Sequence, residues 1–222
     1  MSVERKAARL EDPGAQLLDD LTSLWNRYGR VALIALGVIA VIAIGVVLTM
    51  RTRATAEQQA AEKLAESNLY FWQQRDYAHA LQIANQVSGQ WPNTASGVDA
   101  LRVAGDSQFW LGDFKSAAAA YRRYLDHRKT GVVADGVRRS LAYALESAHQ
   151  YAEAATTFEG LVGRLDRESS AEFLFAAARC ERALNQPREA ERLLGRLIDE
   201  YGETSYAERA RILRAELAAR PH

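Results

Sequence analysis

The sequence predicts an all-α protein: a single transmembrane helix, then a solenoid of helix pairs closed by a C-terminal capping helix. Three observations carry this. Val31 to Met50 is a run of twenty residues without a charged side chain. The rest of the chain repeats at a period near 37 residues. Outside the apolar run no period-two strand pattern of useful length appears. β-Branched runs there are limited to pairs such as Val132-Val133 and Thr156-Thr157.

Composition bounds the classes of function. The chain has 222 residues, 48% hydrophobic and 25% charged, as folded chains do. Lys+Arg and Asp+Glu are 28 each. The first thirty residues hold five of each sign (Arg5, Lys6, Arg9, Arg27, Arg30 against Glu4, Glu11, Asp12, Asp19, Asp20), so the body balances too. No basic field exists to hold a phosphate backbone, which argues against nucleic acid as a partner. The lone Cys180 excludes an intrachain disulfide and a cysteine-built zinc site.

The organisation divides into a 1–30 tail, a 31–50 span and a 51–222 body. In the tail, Leu17, Leu21, Leu24 and Tyr28 recur at helical spacing, with Leu18 and Trp25 beside them. The expectation is an amphipathic juxtamembrane helix lying on the bilayer surface and leading into the span, with a docking helix for a membrane partner as the alternative. Trp25 and Tyr28 suit the interfacial belt.

Twenty helical residues rise about 30 Å, enough to cross the hydrocarbon core. The run exceeds the apolar core of a signal peptide. Ala54-Thr55-Ala56 has the small-x-small form of a cleavage site, but Arg51 and Arg53 intervene, so the run reads as an uncleaved anchor. Arg27 and Arg30 face Arg51 and Arg53 across the span. The further Arg5, Lys6 and Arg9 favour the tail inside and the body translocated.

The body repeats four times. Asp76-Tyr77-Ala78-His79-Ala80, Asp113-Phe114-Lys115-Ser116-Ala117, Gln150-Tyr151-Ala152-Glu153-Ala154 and Gln186-Pro187-Arg188-Glu189-Ala190 end on alanines 37, 37 and 36 residues apart. Seven residues past the aromatic or Pro anchor stand Ala84, Tyr121, Phe158 and Leu194. Ten past stand Val87, Tyr124, Leu161 and Leu197. These offsets share one helix face. Thirteen before the anchor are Leu64, Leu101 and Leu174, with Arg138 the exception; nine before are Asn68, Gly105, Ala142 and Ala178, mostly small. Such helices cannot bury their apolar faces alone, so successive pairs must stack. The expected helices are 56–74, 77–90, 96–111, 114–127, 132–148, 151–164, 169–184, 187–201 and a capping 204–218.

This pattern resembles the tetratricopeptide repeat: small residues, an aromatic at the turn, then Ala, an aromatic, an apolar residue and a Pro. The second repeat fits best, with Gly105, Phe114, Ala117, Tyr121 and Tyr124, and Pro92 matches the terminal proline of the first. The period exceeds the family's usual 34 by two or three residues, and the later terminal prolines are missing. The whole layout resembles the ancillary SecYEG translocon subunit family, through Trp25-Asn26-Arg27-Tyr28-Gly29, one anchor and the repeats beyond it. That resemblance implies a bacterial inner-membrane protein with a cytoplasmic N-terminus and a periplasmic repeat domain. The implied role is chaperone-like, and the implied partners are a membrane translocase and unfolded or emerging polypeptides.

No catalytic constellation is present. A Gly-rich phosphate loop, G-x-S-x-G and H-E-x-x-H are all missing, and His79, His127, His149 and His222 do not converge. No enzyme activity, cofactor or metal is expected. Cys180 sits among Phe175, Ala176, Ala177 and Ala183, which suggests core packing.

Tetratricopeptide proteins commonly bind extended peptides on the concave face lined by first helices. Carried over by the repeat anchors, the implied groove comprises Leu69, Trp72 and Gln73; Arg102, Asp106, Phe109 and Trp110; Arg139, Tyr143 and Glu146; and Phe175, Arg179 and Arg182. Rings with interleaved arginines suit apolar side chains and peptide carbonyls or carboxylates. For Trp72 and Trp110 the competing expectation, and the favoured one, is packing between helices. The competing function is an envelope-assembly or cell-division adaptor bridging folded partners; a reversed topology would make the repeats a cytosolic docking receptor.

Overall fold

The computed structural model describes residues 13–219, and the remarks on structural absence below concern those residues. Glu4, Arg5, Lys6, Arg9, Glu11 and Asp12 of the tail, and His222, lie outside them. The described chain is helical with no strand. The elements are α1 (Pro13–Leu69), a π-helical turn (Tyr70–Gln74), α2 (Tyr77–Gln90), α3 (Ala95–Trp110), α4 (Phe114–His127), α5 (Val132–Ser147), α6 (Tyr151–Glu159), α7 (Arg167–Ala183), α8 (Pro187–Glu200) and α9 (Tyr206–Ala218). The chain forms two units, Met1–Ala54 and Thr55–His222.

In the first unit α1 is uninterrupted from Pro13 onward, so the Leu17–Tyr28 stripe and the apolar run belong to one continuous helix. The sequence offers no proline or turn between them to break it. Gly29 would be the weak point, but the Trp25 indole lies over it: a Cβ there would sit 3.3 Å from the ring. The large apolar side chains from Leu33 to Met50 are exposed, and α1 is the one described helix long and apolar enough to cross a membrane.

In the second unit helices pack in sequence order, and first helices of successive pairs also touch directly, α3 with α5 and α7 with α9. The end of α1 with α3, α5, α7 and α9 thus makes an inner layer; α2, α4, α6 and α8 make the outer one. Exposed ion pairs link neighbouring outer helices, Arg122 to Glu153 and Arg192 to Glu159.

The repeat register explains the core. Ala80, Ala117, Ala154 and Ala190 are fully buried, as are Val87, Tyr124, Leu161 and Leu197. Ala84, Tyr121, Phe158 and Leu194 complete the face. Each buried Leu or Phe contributes about 1.5–3 kcal/mol relative to exposure. Gly105 permits the closest approach: a Cβ there would lie 2.6 Å from the Tyr121 ring. The exceptional Arg138 is half-buried and donates to Asp135 at 2.8 Å and to the Lys129 carbonyl.

Local chemistry sets the turns. The side chains of Asp76, Thr94, Asp113 and Asp166 accept from the N–H three residues on, capping α2, α3, α4 and α7. Arg75, Gly112, His149 and Asn185 are left-handed, at φ of 54°, 82°, 60° and 59°, so the same backbone reversal recurs in every repeat. Glu57 of α1 accepts from the Ala95 N–H at 2.6 Å and from the Ser96 hydroxyl at 2.6 Å, placing negative charge at the N-terminus of α3. Three repeats later Glu168 does the same for Ser205 before α9.

Several boundaries depart from the sequence reading: the expected 56–74 helix is the end of α1 and the π-helical turn, and α7 begins at Arg167 and not 169, behind its Asp166 cap. α6 ends at Glu159 instead of 164, because Gly160 opens a turn that closes on Gly163 at φ 79°, although Leu161 stays buried. α9 begins at Tyr206, after Thr204 and Ser205 are taken up by the turn.

Candidate functional site

The inner layer carries an open cavity of about 360 Å³ between α3, α4 and α5. Asp106, Phe109 and Trp110 form one wall, Ser140 and Tyr143 the opposite one, and Tyr121 the floor. Helical spacing of three and four brings 106, 109 and 110 to one face of α3, as it does 140 and 143 on α5.

The aromatic members are held by other rings. Phe109 meets Phe114 edge-on at 5.2 Å, Tyr143 meets Phe158 edge-on at 5.0 Å, and Trp110 stacks on Tyr77 at 5.6 Å. Trp110 is 62% exposed and Trp72 69% exposed, which corrects the expectation that both pack between helices. Each falls at the end of a first helix, past the last core position; Phe71, not Trp72, turns inward. Leu69 and Leu111 add to this exposed apolar surface.

The polar members are already engaged. Asp106 Oδ2 accepts from Arg102 at 2.9 Å and Oδ1 accepts from the Tyr121 hydroxyl at 2.8 Å. Burial nevertheless pushes the Asp106 carboxyl above its usual range, outweighing both partners. The Tyr143 hydroxyl donates to Glu172 of α7, and burial, then that bond, push its ionisation upward.

The remaining arginines do not project free. Arg139 of α5 donates to both oxygens of Glu172 at 2.7 and 2.8 Å. In the opposite sense Arg179 of α7 donates to Glu146 of α5 at 3.0 Å, and its guanidinium lies 5.7 Å over the Phe175 ring. Arg182 pairs with Glu216 of α9 at 3.6 Å. These crossed pairs join the third repeat to the fourth and the fourth to the cap.

Of the residues inferred from sequence, the cavity therefore gathers Asp106, Phe109, Trp110 and Tyr143. Arg102 braces it from behind; Leu69, Trp72, Arg139, Phe175, Arg179 and Arg182 are not in its lining. Tyr121, Ser140, Tyr77 and Glu172 were not anticipated as site residues. The repeat period places Tyr121 in the core, and Glu172 gains its meaning only from its register against Arg139.

Nothing in the described chain groups three or more metal-ligating side chains. Cys180 is buried, and its thiol is pushed up to about 12, chiefly by that burial. His79 is held against Asp76 at 2.7 Å and stacked on Tyr70, and His149 contacts the Tyr151 hydroxyl, so neither approaches the cavity.

A family model described as the tetratricopeptide repeat matches residues 172–204. This is the fourth pair, α7 and α8, and not the second, which carries the aromatic anchors; Pro187 and the buried Leu193, Leu194 and Leu197 serve there instead. A search of curated proteins gives no match. Solved structures do. A tetratricopeptide repeat protein from Parabacteroides merdae aligns with a TM-score of 0.61 at 14% identity, over 72% of this chain and 60% of that one. A Podosopora anserina protein described as a kinesin light chain with nearly identical TPR-like repeats aligns at 0.58 and 16% identity, over 72% and 86%. MamA from Desulfovibrio magneticus aligns at 0.55 and 13% identity, over 72% and 93%. Identities this low speak for fold alone. The chain carries a tetratricopeptide repeat at 172–204 within an all-helical, tetratricopeptide-like solenoid.

Proposed function

We propose that this protein is a membrane-anchored interaction module that holds extended polypeptide segments on its inner helix layer. It works as a chaperone-like ancillary factor beside a protein translocase, with the repeats on the periplasmic side of a bacterial inner membrane. The observation that carries the reading is the exposed Trp110 at the rim of a largely aromatic cavity on the inner layer. Large exposed aromatics beside a pocket mark interaction surfaces, and Trp is the commonest anchor in them. The apolar stretch of α1 supports tethering, which keeps the module at high local concentration near membrane partners. The translocase assignment rests on the layout resemblance around Trp25, Tyr28 and Gly29 and the single anchor.

Two experiments test it. A reporter active only outside the cytoplasm, fused after the last residue, should be active; an inactive fusion overturns the periplasmic placement. A mild-detergent pull-down of the full chain should recover the Sec channel. Consistent recovery of one folded partner without the channel would favour the adaptor in envelope assembly or division.

A further inference from the structure

Resting on the reading of the inner layer as a polypeptide-binding face, we propose that the α3–α4–α5 cavity receives one large uncharged side chain of an extended segment, and that the groove arginines take no part in holding it.

The cavity's own groups specify that occupant. Four of its six lining residues are aromatic, and its volume of about 360 Å³ suits one bulky side chain. Its one ionisable acid, Asp106, has both oxygens occupied, by Arg102 and Tyr121. A basic side chain entering the cavity would be desolvated beside a carboxylate whose charge Arg102 already balances. An acidic one would meet Asp106 with no cation in the lining to balance it. Tyr143 spends its hydroxyl proton on Glu172, so it offers the cavity ring surface. What the lining mainly offers a ligand is aromatic wall, with the Ser140 hydroxyl beside it.

The arginines that could have selected a carboxylate are committed elsewhere. Arg139 and Arg179 are crossed between α5 and α7 with Glu172 and Glu146. Each keeps further N–H groups, but its charge is already balanced by a carboxylate of the neighbouring repeat, which weakens its pull on an acidic ligand. The binding end is thus the second and third repeats, and the third-to-fourth junction is a fixed brace. The Tyr77 stack sets Trp110 at the rim before any ligand arrives, which lowers the ordering cost of closing over a side chain. Such a pocket accepts many sequences, because it selects first for bulk and neutrality.

The test uses the full chain in nanodiscs and a fluorescent, neutral, soluble host peptide with one central guest residue: Phe, Leu, Ser, Glu or Lys. Anisotropy gives affinities, with empty nanodiscs as the blank. The Phe and Leu peptides should bind at least about tenfold tighter than the other three, a difference of about 1.4 kcal/mol. Ser140→Phe, which fills the cavity, and Trp110→Ser, which removes its rim, should each erase that preference. Arg139→Gln and Arg179→Gln should leave it within about twofold. Tightest binding of the Glu peptide, or a Phe preference untouched by both cavity variants, overturns the proposal while leaving peptide binding on the inner layer standing. If none of the five peptides binds, the inner-layer reading fails with it.

Discussion

Trp110 stacks on Tyr77, with ring centroids 5.6 Å apart and planes 15° from parallel, yet 62% of Trp110 faces solvent. Tyr77 is the turn anchor of the first repeat and Trp110 ends the first helix of the second. The stack therefore ties an exposed aromatic surface to the junction between repeats.

Trp110→Ala separates the two roles. Losing the stack should cost about 0.5–1.5 kcal/mol of stability, because little of the ring is buried. Affinity for a Phe-guest peptide should fall about tenfold or more. Denaturant unfolding and anisotropy on the same sample check this; a large stability loss with unchanged affinity would make Trp110 a packing residue.

The crossed pairs between α5 and α7 should behave as a structural brace. Glu172 has a side chain 12% exposed and accepts from both Arg139 and Tyr143. Glu172→Gln should cost about 1–2 kcal/mol, the lower part of the range for a hydrogen-bonded charge because Arg139 is 44% exposed. A double-mutant cycle with Arg139→Ala should return a coupling of about 1 kcal/mol. Coupling near zero, or a matching loss of peptide affinity, would contradict the brace.

Gly105 is required by contact and not by backbone conformation. Gly105→Ala places a methyl group 2.6 Å from the Tyr121 ring, so the ring and its bond to Asp106 must shift. The expected cost is about 1–3 kcal/mol, read as a lower thermal midpoint. An unchanged midpoint would mean that α3 and α4 separate easily.

Asp106 gives a pH signature. Its folded carboxyl is raised above the ordinary 3.8, chiefly by burial, so the native state holds this proton more tightly than the unfolded chain does. The contribution is fully present below pH 3.8 and is lost as pH rises through the folded value. The stability of the wild type relative to Asp106→Asn should therefore be greatest in acid and decline towards neutrality. A difference that grows with pH would mean that Arg102 outweighs burial.

Much of this fold is legible in the sequence because stacking repeats force the same positions inward. The four alanines after each turn, and the residues seven and ten past each anchor, all lie in the core. The left-handed residues Arg75, Gly112, His149 and Asn185 keep the same spacing of 37, 37 and 36, but only one is the glycine that usually marks such a turn, so residue type does not reveal them. The site was harder. Arg139 and Arg179 look like ligand-binding arginines until Glu172 and Glu146 are brought opposite them. Both pairs are 33 residues apart, a separation that acquires meaning only once α5 and α7 lie side by side. Trp72 and Trp110 follow the helical period up to the point where the neighbouring helix ends, and periodicity alone does not say where that is.

The most direct test of an inner-layer polypeptide site is photo-crosslinking from the membrane-embedded full chain. A photoreactive residue replaces Trp110 in one sample and Arg123, exposed on α4 of the outer layer, in another. Each is offered a Phe-guest peptide and its Ser-guest counterpart. The expected result is a peptide adduct from position 110 that depends on Phe and is suppressed by Ser140→Phe, with none from position 123. Equal labelling from both positions, or labelling from 110 indifferent to the guest residue and to Ser140→Phe, would contradict the site.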